Sequence, residues 1–132
     1  MQEKCENISF GRKNINGDLP DGCQDPQYQK VSFSKFALGI TNGNNCCILI
    51  DGSIVYITNF SYCQEINSMV VIGKKILNKQ PLYKTPCDSS LLDIYKVDTL
   101  SELSYWNLNE IRAKCIKLPL HDSFAIFPLL HL

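Results

Sequence analysis

The chain has 132 residues, thirteen Lys and Arg against thirteen Asp and Glu, zero formal net charge and 45% hydrophobic residues. That length and apolar content suit one domain with its own core and exclude disorder along the whole chain. The charge balance argues against a strongly electrostatic nucleic-acid binder and favours a protein partner or self-association; no apolar run approaches the ~20 residues of a membrane-spanning helix.

Seven cysteines and an N-terminus, MQEKCENISF, without the apolar stretch of a secretory signal lead to an expectation of reduced thiols in an intracellular protein, nuclear or cytoplasmic. Adjacent Cys46 and Cys47 are too close in sequence to bond each other with ordinary disulfide geometry. Residues 1–30 hold Gly11, Gly17, Pro20, Gly22 and Pro26 among Asn, Asp and Gln. This is turn and loop chemistry, read as a flexible or draping N-terminal arm or the remnant of a linker, ahead of a single β domain over 31–132.

Regular structure is expected from Val31 to Phe36, where apolar and polar residues alternate at first, and Thr41-Asn42-Gly43-Asn44-Asn45 reads as a turn. Cys46-Cys47-Ile48-Leu49-Ile50 and Ser53-Ile54-Val55-Tyr56-Ile57-Thr58 are two β runs joined by Asp51-Gly52, predicting a tight hairpin with a type I′ turn. Ser61 to Asn67 reads as a loop. Ser68 to Leu77 reads as a strand in which Gly73 marks a bulge or sharp bend. Pro81 and Pro86 make Gln80 to Ser90 an irregular crossing. Leu91 to Val97 reads as a buried strand ended by Asp98 and Thr99, whose side chains bond locally to backbone. Asn107 or Asn109 caps a short helix whose apolar side is Leu108 and Ile111, and Cys115 to Leu118 resumes extended structure. His121-Asp122-Ser123 turns the chain into a last strand, Phe124 to Leu130. Five or six short strands with one or two helical turns describe a mainly β fold, a small antiparallel barrel or sandwich.

The pattern from Leu91 to Ile116 resembles the later part of bromo-adjacent homology (BAH) domains: a strand, Ile94-Tyr95-Lys96-Val97, an acidic connection from Asp98 to Trp106, then Ile111-Arg112-Ala113-Lys114-Cys115-Ile116. The wider run from Asn44 to Leu130 resembles uncharacterised domains of animal proteins related to transposable elements. The first resemblance implies a barrel-cored, non-enzymatic module that binds histones or other chromatin proteins. The chain is shorter than those domains and carries no complete aromatic cage.

Candidate chemistry is thin. His121 and His131 are the only histidines, and a Cys115–His121 nucleophile pair oriented by Asp122 meets the residue types of a thiol hydrolase. Cys115 nonetheless sits among Ile111, Ile116 and Leu118, where a thiol packs as a small hydrophobe. Cys46, Cys47, Cys63 and Cys87 lack the two-to-four-residue spacing of a zinc knuckle, and no phosphate-binding loop is present. No cofactor and no metal are therefore expected. The asparagines of Asn7-Ile8-Ser9 and Asn59-Phe60-Ser61 match the glycosylation pattern, which arises often by chance. Tyr83, Tyr105 and Trp106 are expected on loops, where exposed aromatics form partner-binding surfaces, although Trp106 also suits an end plug of a barrel. The resulting expectation is a non-catalytic module that binds a protein partner, chromatin-associated by resemblance, through those three residues. The alternative is a nucleic-acid-binding accessory domain of a transposase-like protein, using Lys74, Lys75, Lys79 and Lys84 beside Tyr83.

Overall fold

The computed structural model describes residues 8–81, 95–119 and 124–129. The fold is mainly β, one antiparallel sheet with almost no helix. In chain order the strands are β1 (Ser9–Lys13), β2 (Cys23–Ser32), β3 (Ala37–Gly39), β4 (Cys46–Leu49), β5 (Ile54–Cys63), β6 (Ser68–Pro81), β7 (Tyr95–Asn107), β8 (Ile111–Pro119) and β9 (Phe124–Pro128). They lie in the order β1-β2-β5-β4-β8-β9-β7-β6, with β3 beside β2 and a further pairing between β5 and β6. Among the described residues no helix is long and apolar enough to cross a membrane.

The β4–β5 hairpin forms where the apolar runs predict it, but with a different turn. Only Gly52 adopts positive φ, at 89°, and its N–H donates to the Leu49 carbonyl, while the Leu49 N–H donates to the Ser53 carbonyl. Ile50-Asp51-Gly52 is thus a three-residue loop ending in a left-handed glycine. Asp51 stays out of that region because its carboxylate accepts the Ser53 N–H at 2.8 Å, a local bond that fixes the turn without positive φ.

Alternate residues of the hairpin enter different clusters. Cys47, Leu49, Val55 and Ile57 join Val31, Leu38, Phe60, Val71 and Leu108 on one face. Cys46, Ile48 and Ile54 join Ile76, Cys115 and Ile126 on the other. Both faces are buried, which is why β4 is continuously apolar rather than alternating. A third cluster, Cys63, Val70 and Ile72, has Cys23, Leu103 and Tyr105 packed against it.

Gly73 does mark an irregularity. In the pairing of β5 with β6, Ile57 sits opposite Gly73 and Asn59 opposite Ile72, so the extra residue, Thr58, lies on β5. A Cβ on Gly73 would lie 2.1 Å from the Tyr56 carbonyl oxygen, so the bulge brings backbone where no side chain fits.

Several expectations are corrected. The loop read over residues 1–30 contains β1 and the greater part of β2. Pro26 is tolerated because the β2–β5 register shifts between Gln24 and Gln27, and a bulge residue need not donate to the ladder. The connection between β1 and β2 is held by a polar chain centred on the buried Asn59 and Gln27. Asn59 Nδ2 donates to Gln27 Oε1 at 2.9 Å, Asn59 Oδ1 accepts from Asn14 Nδ2 at 3.1 Å, and Gln27 Nε2 donates to Asp25 Oδ1 at 2.7 Å. Asn59 is fully buried with its amide engaged, so its glycosylation pattern has no accessible acceptor in the folded chain. The strand expected to run on to Phe36 stops at Ser32, where the Phe33 N–H donates to the Phe36 carbonyl in a turn. β5 continues through Ser61 to Cys63.

β7 does not stop at Asp98 and Thr99. It runs on to Asn107 because β6 pairs with it throughout, absorbing mismatches by register shifts around Ile76 and Asn78; long-range pairing outweighs the local preference of two residues. Nine described strands replace the expected five or six. The short helix is present as one 3-10 turn, Leu108–Glu110, capped by Asn107 in a capping box with Glu110.

Candidate binding site

The sheet edge formed by β1, β2 and β3 carries a recess of about 230 Å3 whose lining includes Arg12, Gln29, Lys30, Gly39, Thr41 and Asn44. Its geometry begins with Lys30. On one side Lys30 pairs with Gly11 of β1, and on the other with Gly39 of β3. Cross-strand neighbours normally pack side by side. Here both lack side chains, so the lysine stem stands in a trough with open flanks.

Arg12 lines the same recess. Its φ is +55°, a left-handed conformation costing about 1–2 kcal/mol for a non-glycine residue. The register stays in step on either side of it, with Gly11↔Lys30 and Lys13↔Tyr28. Phe10 anchors β1 against Tyr28, with ring centroids 5.1 Å apart.

The far wall is formed by Thr41 and Asn44 of the predicted turn Thr41 to Asn45. The Asn44 N–H donates to the Thr41 carbonyl, its Nδ2 donates to Thr41 Oγ1 at 3.2 Å, and the Gly39 N–H donates to the Asn44 carbonyl. Asn44 Oδ1 accepts from Lys114 Nζ at 2.6 Å, which brings a third cation, from β8, to the rim. Burial, and then the positive charge of Lys30, hold the Lys114 ammonium below the usual lysine value. Lys30 and Lys114 thus lie near each other beside a recess whose lining includes Arg12 and no described carboxylate.

The residues singled out from sequence are dispersed. Trp106 is on β7 opposite Val71, packed against the first core cluster, and Tyr105 is opposite Ile72, packed against the third. Consecutive strand residues point to opposite faces, so these two do not form one surface, and neither is on a loop. Tyr83 lies outside the described residues. Lys74, half-buried, pairs with Tyr56 and Leu103; exposed Lys75 pairs with Val55 on the next position. Lys79 is in β6 opposite Val97, its side chain outside the description, and Lys84 lies wholly outside it. Arg12, Lys30 and Lys114 were not legible as a set, because the two glycine pairings that open the recess arise only from strand register.

Cys115 is buried among Ile48, Ile54 and Ile126, and Leu118, expected beside it in the core, is 47% exposed, as alternation along β8 requires. His121, Asp122 and His131 lie outside the described residues, as does Cys87. Cys46 and Cys47 point to opposite faces. Among the described residues no three His, Cys, Asp or Glu side chains gather as a group that could hold a metal ion.

Residues 13–129 match the family model of a domain of unknown function, DUF8592, and the chain belongs to that family. Neither the curated proteins nor the solved structures supply a match.

Proposed function

We propose that this DUF8592 domain is a non-catalytic interaction module that binds an acidic segment of a protein partner at the Arg12–Lys30–Lys114 recess. The observation that carries the reading is the proximity of Lys30 and Lys114 beside a recess lined in part by Arg12 and by no described carboxylate. Lys30 and Lys114 repel each other, and an anion between them would relieve that repulsion. The recess is smaller than the ~300–1,000 Å3 of most small-molecule sites, a size that suits one carboxylate side chain rather than a cofactor. The neutral chain and the separation of Lys74 and Lys75 from this edge disfavour the extended cationic track that a nucleic-acid backbone requires. The pairings β5–β4–β8–β9–β7–β6 return to β5, and we read that ring as a small barrel of the SH3-like or BAH-like kind, with β1, β2 and β3 added as the binding layer. This replaces the loop aromatics as the proposed contact.

Titration calorimetry with a poly-glutamate peptide at low salt tests the reading, with an oligonucleotide in a parallel arm. Arg12→Ala and Lys30→Ala should each weaken peptide binding about fivefold, or ~1 kcal/mol, with unchanged melting. Tighter binding of the oligonucleotide, or undiminished peptide binding by the double variant, would overturn it.

A further inference from the structure

Cys23, the first residue of β2, and Cys63, the last of β5, face each other in register. The Gln64 N–H donates to the Gly22 carbonyl at 2.8 Å just outside the pair, which makes Cys23–Cys63 a non-hydrogen-bonded antiparallel pair. Such pairs hold Cα atoms ~4.5 Å apart and their side chains closest, inside the separation a disulfide spans. Each thiol is near enough to influence the ionisation of the other.

We infer that Cys23 and Cys63 are a thiol modification site, converted to a cross-strand disulfide by a small-molecule disulfide such as oxidised glutathione. Their surroundings divide the work. Cys23 is half-buried and Cys63 fully buried against Val70 and Ile72, so only Cys23 is open to a reagent. Burial raises the Cys23 thiol to about 11, which makes the first step slow. Burial also opposes ionisation of Cys63, but hydrogen bonds from neighbouring groups, among them the Ile66 and Glu65 backbone, outweigh it and set this thiol below its ordinary value. The Tyr105 hydroxyl, packed against the same cluster, donates its one proton to Glu65 Oε1 at 2.5 Å.

In the first step the Cys23 sulfur attacks one sulfur of the glutathione disulfide. A Cys23–glutathione bond forms, the original S–S bond breaks, and one glutathione leaves and takes up a proton. The Cys63 thiolate then attacks the Cys23 sulfur, forming the protein disulfide and expelling the second glutathione. Two cysteine thiols are oxidised and one glutathione disulfide is reduced to two thiols. Access sets the order, since only Cys23 can be reached first; the lowered Cys63 value then assists the second step, because exchange speeds up with the thiolate fraction of the attacking thiol.

The experiment incubates the full chain with oxidised glutathione under native conditions, alkylates the remaining thiols and maps peptides without reduction. The expected result is a linked Cys23–Cys63 peptide, a mass loss of two hydrogens, and a raised melting temperature that dithiothreitol reverses. In Cys23→Ala, whose site is only half-buried, the linked peptide and the oxidant-dependent rise in melting should both vanish. Recovery of Cys23 and Cys63 as separately alkylated peptides, glutathione retained on Cys23, or a linkage between other cysteines would overturn the inference; because the mapping uses the parent chain, it does not depend on any variant folding.

Discussion

Lys30 owes its reach to what is missing beside it: Gly11 and Gly39 are its two cross-strand neighbours, and no local sequence rule places them there. Cys47 is the opposite case, a residue whose setting follows from its neighbours, since an apolar run with both faces covered leaves a thiol nowhere to meet water. Burial first, and then the nearby Cys46, raise the Cys47 thiol above its ordinary value. In the unfolded chain that thiol ionises at about pH 8.5 while the folded state keeps its proton, so the folded state binds more protons and stability falls as pH rises. The contribution is fully present below about pH 8.5 and is lost above it. Denaturant melts across this range should show an alkaline decline in the parent and a shallower one in Cys47→Ala, which should also lose ~1–2 kcal/mol at neutral pH through the cavity it leaves. An unchanged alkaline slope in the variant would contradict the assignment.

At the scale of elements, the hairpin, the Thr41–Asn44 turn, the Asn107-capped turn and β9 were legible, because each is fixed by residues within a few positions of one another. β1, most of β2 and the continuation of β7 were not, because each is made a strand by a partner distant in sequence. Asp98-Thr99 reads as a stop until β6 supplies its ladder, and Pro26 reads as a breaker until a bulge accommodates it. Gly73 was half legible: its presence announced a bend, while the extra residue proved to be on the facing strand. Gly73→Ala places a methyl against the Tyr56 carbonyl. The β5–β6 ladder must shift to admit it, at an expected cost of about 1–3 kcal/mol. Chemical denaturation measures this directly, and a loss within a few tenths of a kcal/mol would show that the two strands are not held so closely.

For the molecule as a whole, strand register gathers what the sequence scatters. Arg12, Lys30 and Lys114 come from β1, β2 and β8, whereas Tyr105 and Trp106, adjacent in sequence, part to opposite faces of β7. Composition indicated a neutral β domain suited to a protein partner, but not the surface involved, because a recess between three strands and a turn has no signature along one chain segment. The most direct measurement is an amide chemical-shift titration of isotope-labelled protein with poly-glutamate at low salt. The account predicts shifts concentrated at Arg12, Lys30, Gly39 and Asn44, saturating with peptide and fading as salt is added. Shifts centred on Tyr105 and Trp106, or on Lys74 and Lys75, or none at all, would contradict it.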